Sequence, residues 1–247
     1  MSREKRMSSG IYSALSGGLA KMQKLDVAVH NLANAGNVGF KASRLSFESL
    51  FDENRQNYAG EGKNFCRTAE RFVDFSQGDI EQTHRSLDVA IRGQGFFKVA
   101  GDDGFLYTRQ GNFELDDQGN LVTADGRKQV VGANGPVNLP HSNVQIDAQG
   151  RISADGAPVG QISVYSVSDP KALSEKGDGL WALAPDAAAA PAADAEVVQG
   201  GIEHANVDPV LLTTEIIETK RAYAAYLKVM KAYSDMGEKA ESLGRIG

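Results

Sequence analysis

The chain has 247 residues, 41% of them apolar and 23% charged, so it is long enough to bury the core of one or two domains. Its 26 basic and 32 acidic residues give a net charge of −6, which argues against nucleic-acid binding as the main function. A single cysteine, Cys66, excludes an intrachain disulfide and a metal site built from several cysteines. No apolar run approaches the length of a membrane span, and the basic start is followed by a segment too interrupted by Ser and Gly for a signal peptide.

The N-terminal segment predicts a helix with apolar or small residues in heptad spacing. Steps of four and three residues alternate along the set Ile11, Leu15, Gly18, Met22, Leu25, Val29 and Leu32. The turn-forming residues 34–37 are expected to end this helix, with Gly36 free to adopt a positive φ. Such spacing is typical of a helix that packs lengthwise against another helix.

The C-terminal segment predicts a second, longer heptad helix, with Asp208 as its N-cap and Pro209 as its first residue. Its seam consists of Leu212, Ile216, Thr219, Tyr223, Tyr226, Met230, Tyr233, Gly237 and Ala240. An apolar stripe of this length needs a partner. Two core helices of a globular domain are the alternative, but the same spacing at both ends of the chain, and nowhere between, favours coiled-coil packing. The partner is either the other end of the chain or another copy.

Between these helices the period of the apolar residues changes to two, and short β-type runs alternate with turn sequences such as Asp125-Gly126 and Gln149-Gly150. This pattern predicts an antiparallel sandwich or barrel-like domain over residues 77–200, with a surface loop or linker at 184–195. Residues 35–76 combine six phenylalanines with many polar residues, which predicts an extended arm lying on another surface.

The predicted fold class is therefore α+β, with terminal helices packed as a coiled coil, an extended arm and a central all-β domain. The predicted boundaries are 1–34 for the N-terminal helix, 35–76 for the arm, 77–200 for the β domain and 201–247 for the C-terminal helix.

Signals of catalysis or ligand binding are weak. The four histidines lack metal-ligand spacing, and no serine lies in a nucleophile-elbow pattern. The sequence from Asp116 to Asn120 fits a β-turn better than a calcium loop, and Gly93-Gln94-Gly95 precedes a strand pattern rather than a helix. We therefore predict no catalytic, cofactor-binding or metal site. A soluble β-rich domain that binds or cleaves glycans is the competing function, although nothing selects one pair of carboxylates for it.

Four sequence blocks follow one another along the whole chain. The first is Asn31-Leu32-Ala33-Asn34 followed by Gly39-Phe40-Lys41. The others are residues 88–97, residues 107–121, and Asn206-Val207-Asp208-Pro209 with Arg221-Ala222-Tyr223. Together the blocks resemble the bacterial flagellar rod and hook protein family, which usually has Thr at the position of Asn37. Within that family the chain is most similar to the proximal rod members and then to the distal ones, whereas hook proteins usually carry a further outer domain.

This resemblance implies a structural subunit of the flagellar basal-body rod, within the periplasm, and not an enzyme. Members of the family polymerise through their terminal helices into the shaft that transmits torque, and they are exported unfolded by the flagellar type III apparatus. The implied partners are copies of the chain, other flagellar rod proteins and that export apparatus, without nucleic acid or a membrane span.

The resemblance also implies roles for individual residues. The two helical seams would face each other and neighbouring copies, so Leu25→Asp or Ile216→Asp is expected to abolish assembly while the β domain still folds. Asn31 and Asn34 would hold the chain reversal after the first helix by side-chain-to-backbone hydrogen bonds. Gly39 would supply a tight backbone conformation before Phe40.

Overall fold

The structure, a computed structural model, describes residues 3–51, 64–102 and 104–244. Two long helices lie at the ends of this range, α1 (Arg3–Ala33) and α2 (Pro209–Gly244). Asp208 caps α2, because its Oδ1 atom accepts the backbone N–H groups of Val210 at 2.8 Å and Leu211 at 3.2 Å. The predicted cap and the predicted start at Pro209 are therefore confirmed.

Nineteen short strands lie between the helices in the described part of the chain, and they pair with one another in antiparallel fashion, so the predicted α+β class is confirmed. In chain order they are β1 (Ser43–Phe51), β2 (Asn64–Val73), β3 (Ile80–Gln82), β4 (Val89–Arg92), β5 (Phe96–Gly101), β6 (Gly104–Thr108), β7 (Glu114–Leu115), β8 (Leu121–Val122), β9 (Val130–Gly132), β10 (Gly135–Pro136), β11 (Gln145–Ile146), β12 (Arg151–Ala154), β13 (Ala157–Gln161), β14 (Val164–Val167), β15 (Leu173–Gly177), β16 (Leu180–Leu183), β17 (Ala189–Pro191), β18 (Glu196–Gln199) and β19 (Gly201–Glu203).

The chain divides into two compact units. The helix–hairpin unit consists of Met1–Ala33, Ser43–Val73 and Asp208–Gly247, and the β unit consists of Asn34–Ala42 and Asp74–Val207. The range 35–76, expected to be one extended arm, contributes to both units. Within it β1 and β2 pair as a hairpin, with Ser43 opposite Val73. The side chains of Phe47, Phe51 and Phe65 lie outside the described part of this hairpin.

In the helix–hairpin unit, α1 packs against α2 and the hairpin packs against α1. The helices run antiparallel, because Gly18 lies near Met230 whereas Lys24, further along α1, forms a 2.8 Å ion pair with Glu215, which precedes Met230 on α2. Antiparallel packing thus places the N-terminal helix and the C-terminal helix side by side within one unit.

The chain reversal after α1 is fixed by one amide side chain. Asn31 is buried, its Nδ2 donates to the carbonyl oxygen of Ser43 at 2.8 Å, and its Oδ1 accepts the Ser43 N–H at 2.9 Å. The expected role of Asn31 is confirmed. Asn34 lies in a local turn instead, where its backbone and side-chain oxygens accept hydrogen bonds from Asn37. The positive φ expected at Gly36 occurs at Gly39, where φ is 67°.

The β unit is built around an eight-stranded sheet in the order β10-β9-β5-β6-β16-β15, with β14 joining β5 to β17. Phe96 and Phe97 are neighbours on β5 and point to opposite faces of this sheet. The Phe97 face packs into the larger core with Phe113, and the Phe96 face packs with Trp181 into a smaller aromatic cluster. The predicted surface loop at 184–195 contains β17, which pairs with β14.

Two turns of the β unit share one hydrogen-bond pattern, which was not predicted from the sequence. Asp116 accepts the backbone N–H groups two and four residues later, at Gln118 and Asn120, and Asp147 does the same at Gln149 and Arg151. The sequence from Asp116 to Asn120 is therefore the predicted β-turn, whose carboxylate is used within the turn. Hydrogen bonding to Asn120 lowers the pKa of Asp116.

Candidate functional site

The outer face of α1 carries an exposed apolar stripe, in which the exposed Asp26 lies between the last two members. Its residues, with their exposed fractions, are Tyr12 (61%), Leu15 (50%), Leu19 (55%), Met22 (45%) and Val29 (49%). Spacings of three, four, three and seven residues place them on one side of the helix. A cluster of exposed large apolar side chains on one face of a helix is typical of an interaction site. We call these five residues the α1 stripe.

The buried side of α1 carries small residues instead, including Ala14, Gly18 and Ala28. A Cβ atom on Gly17 would lie 2.7 to 2.9 Å from ring atoms of Tyr226. Small residues at this position let the backbone of α1 approach the tyrosine ring of α2 closely. The five large apolar residues of the α1 stripe lie exposed on the opposite side.

The predicted seam on α1 is divided between these two sides. Gly18 is buried and Ile11, Leu25 and Leu32 are half-buried, whereas Leu15, Met22 and Val29 are exposed in the α1 stripe. On α2, Thr219 is buried, and the other seam positions are half-buried, namely Leu212, Ile216, Tyr223, Tyr226, Met230, Tyr233 and Gly237. The side chain of Ala240 lies outside the described residues. α2 also exposes Val210, Leu211, Ile217, Leu227, Val229 and Met236.

The β unit contains a buried ionic cluster that includes one residue of the first sequence block and one of the third. Its centre is Glu203, whose Oε1 accepts a hydrogen bond from Lys41 Nζ at 2.5 Å and whose Oε2 accepts one from Arg109 Nη1 at 3.0 Å. All three side chains are almost completely buried. Glu203 is the carboxylate that both cations share, although Asp74 also acts on Lys41, so removal of Glu203 would leave two buried cations without their hydrogen-bonded counter-ion.

Backbone groups complete the coordination of these charges. Glu203 Oε1 also accepts the N–H of Gly78 at 2.9 Å, and Lys41 donates to the carbonyl oxygen of Ser76 at 2.7 Å. Arg109 Nη2 donates to the carbonyl oxygen of Gly93 at 2.7 Å. Burial lowers the pKa of Lys41 and that of Arg109 below their ordinary values, and the Glu203 carboxylate opposes both shifts.

The first sequence block contributes its second half to this cluster. Gly39 has a φ of 67° and donates its N–H to the backbone oxygen of Glu203 at 2.7 Å, and a Cβ atom there would overlap the backbone of Arg109. Phe40 and Lys41 are buried. In the first half of the block Leu32 and Asn34 are half-buried, and Ala33 is exposed. Glu203 was not predicted from the sequence. It lies 162 residues from its partner Lys41, and no local sequence pattern indicates such a distant pair.

The described residues give no indication of a metal site or a membrane span. Within them, no group of three or more His, Cys, Asp or Glu side chains is placed to hold a metal ion. Neither helix, over its described length, combines the length and apolar character needed to cross a membrane.

Comparison with known proteins identifies matches over nearly the whole chain. Residues 90–154 match the family model described as the flagellar hook protein FlgE/F/G D1 domain, and residues 198–243 match the flagellar basal body rod FlgEFG protein C-terminal model. The flagellar basal-body rod protein FlgF of Caulobacter vibrioides is 31% identical over 97% of this chain and 100% of its own length. The rod protein FlgG of Agrobacterium fabrum is 32% identical over 90% and 94%, and that of Bacillus subtilis 29% identical over 97% and 100%.

Proposed function

The chain belongs to the flagellar basal-body rod protein family, and on that premise we propose that it polymerises through the outer faces of its terminal helices. It is a structural component of the basal-body rod, and its family consists of structural rod proteins rather than enzymes. Its partners are other components of the flagellar rod.

The α1 stripe is the observation that carries the proposed mode of assembly. Five large apolar side chains follow one another on a helix whose other side already packs against α2 and the hairpin. In water such a stripe raises the free energy of the single subunit, and burial against a neighbouring subunit would recover about 25 cal/mol for each Å² covered. The occupant that we propose is an equivalent helix of a second copy or of another rod subunit.

This mode of assembly assigns the formation of the tube to the terminal helices. The terminal helices, including the predicted seams on residues 1–34 and 201–247, would form the inner tube by coiled-coil packing. Contacts repeated between many subunits without closing a ring would extend into a tube. Torque from the motor would then be shared among many helices.

We further propose that the chain reaches the rod as an unfolded polypeptide through the flagellar type III export apparatus. Its resemblance to the rod family supports this route. The single cysteine is compatible with it, because a chain with one cysteine forms no intrachain disulfide on the way.

Charge substitutions in the α1 stripe test the mode of assembly. The variant Leu15→Asp/Leu19→Asp, expressed in bacteria that lack the native copy, should leave the subunit folded but absent from isolated basal bodies. The control Phe105→Asp replaces an exposed apolar residue of the β unit and should assemble normally. The fluorescence of Trp181, the single tryptophan of the chain, checks that the β unit is folded in both variants.

Recovery of the stripe variant in complete rods at the level of the control would contradict polymerisation through this face. Loss of both variants from the rod would also contradict it, because the effect would then not be specific to the stripe.

A further inference from the structure

The C-terminal segment of the β unit pairs with two strands from its N-terminal part. Residues 196–206, here called the strap, contain β18, which pairs with β4, and β19, which pairs with β3. Two residues separate the strap from Pro209, the first residue of α2. The strap therefore lies at the C-terminal end of the β unit. It pairs with strands that come more than 100 residues earlier in the sequence.

Polar side chains contribute much of the attachment of the strap. Gln199 accepts the backbone N–H of Ile146 at 3.0 Å and donates to the carbonyl oxygens of Ser86 at 2.9 Å and Val144 at 2.7 Å. Val197 belongs to the main core, but the aromatic residues of both core clusters lie outside the strap. Residues 197–206 are buried or half-buried, so the strap leaves its place only when polar contacts of this kind are lost.

Glu203 couples the strap to the buried cations. If the strap left its place, Lys41 and Arg109 would lose their shared carboxylate, and neither cation is stable when buried without a counter-ion. Gly78 would lose the acceptor of its N–H at the same time. Opening of the strap would therefore also release the segments 39–42 and 74–78, so that their charged and polar groups reach water.

Asn206 ties the strap to the same two segments. Its Oδ1 accepts the backbone N–H of Ala42 at 2.8 Å, and its Nδ2 donates to the carbonyl oxygens of Asp74 at 2.8 Å and Ser76 at 3.1 Å. The backbone N–H of Asp74 in turn donates to the carbonyl oxygen of Ala42 at 2.8 Å. Loss of the Asn206 amide would remove hydrogen bonds from the part-buried N–H of Ala42 and the part-buried carbonyl oxygen of Asp74 together.

We propose that the strap and the segments 39–42 and 74–78 open and close as one cooperative unit, held shut by the Glu203 carboxylate, while the main sheet around Trp181 stays folded. The strap is thus a conformational latch built into the β unit. This inference concerns the single subunit and does not depend on the mode of assembly proposed above.

Hydrogen exchange of the full chain, followed residue by residue, tests the latch. In Glu203→Gln, the amides of the strap and both segments should exchange within about tenfold of an unprotected peptide, whereas those of β5 and β6 should stay slowed by at least about 1,000-fold. The control Glu196→Gln removes a carboxylate from the same strap, where it forms an exposed 3.4 Å pair with Arg92. Its exchange should stay within about fivefold of the wild type.

Two further variants make the test decisive. Asn206→Ala leaves no buried charge unpaired, and it should accelerate exchange in the strap and both segments by a common factor. Lys41→Met/Glu203→Gln removes one of the two uncompensated cations and should restore part of the protection lost in Glu203→Gln. Acceleration confined to the neighbours of the substituted residue would overturn the proposal. So would loss of protection in β5 and β6 in Asn206→Ala, because the latch would then not open separately from the sheet.

Discussion

The two units of the chain differ in which side chains they bury. The β unit buries its largest ones, including Trp181 and Phe97, and among its described residues Phe105 is the large apolar side chain that is mainly exposed. In the helix–hairpin unit the order is reversed, because α1 buries small residues such as Ala14 and exposes large ones such as Leu19.

This difference separates a unit that is complete within one chain from one that is not. A core of large buried side chains stabilises the β unit without a partner. In the helix–hairpin unit, small residues of α1 pack against large residues of α2 such as Tyr226, and the large residues of the α1 stripe stay exposed for contact outside the chain. The distribution of residue size between two helix faces therefore indicates where intramolecular packing ends.

The largest effect is expected from removing matched apolar side chains in the two units. Phe97→Ala should lower the free energy of unfolding of the β unit by about 3–5 kcal/mol, because it empties a fully buried position beside Phe113. Leu19→Ala should change the stability of the subunit by less than about 0.5 kcal/mol, because the side chain is exposed. Urea unfolding followed by Trp181 fluorescence and by helical circular dichroism measures both. Equal losses in the two variants would remove the contrast between the units.

A smaller effect is expected where α1 and α2 meet. Gly17→Val should destabilise the helix–hairpin unit by about 1–3 kcal/mol, because the added side chain meets the ring of Tyr226. Gly237→Ala is the matched control on α2, where no atom of the described residues beyond the local helix backbone lies within 4 Å of the added Cβ. The control should stabilise the helix by up to about 1 kcal/mol. Thermal unfolding monitored by helical circular dichroism should move in opposite directions for the two variants, and a shared direction would argue against close packing at Gly17.

The smallest effect is a pH dependence of the β unit. Burial lowers the pKa of Lys41, whereas the unfolded chain keeps this proton up to a pH of about 10.4. The unfolded state binds more protons in the window between these two pKa values, so the free energy of unfolding rises with pH there. Lys41→Met should lack that rise. Urea midpoints of both proteins between about pH 8 and 10.5 give the difference, and parallel curves would show that Lys41 does not titrate differently on folding.

The sequence predicts what local chemistry determines. The cap at Asp208 and the central run of short strands follow from residue type and spacing, and the hydrogen bonds of Asn31 were expected from the family block. The strand β17 was missed because its alanines have weak β propensity, and pairing with β14 decides its conformation.

The two candidate sites were predictable to different degrees. Heptad spacing shows that α1 has apolar faces, but not which face its own chain covers, so Leu15 and Leu25 were assigned to one seam although they differ in exposure. Glu203 could not be predicted as the partner of Lys41 and Arg109, because long-range pairing leaves no periodic pattern. Both questions concern which surfaces meet, and that is decided by packing between distant parts of the chain.

The central claim is that the α1 stripe is exposed in the free subunit and covered by a neighbouring subunit in the rod. Its most direct test places a photo-crosslinking amino acid at position 19 of the full chain in cells, with a control at the exposed turn position 117. In isolated basal bodies we predict covalent products between position 19 and another rod subunit, and no such products from position 117. Rods that contain the subunit but give no intermolecular product from position 19 would contradict the claim.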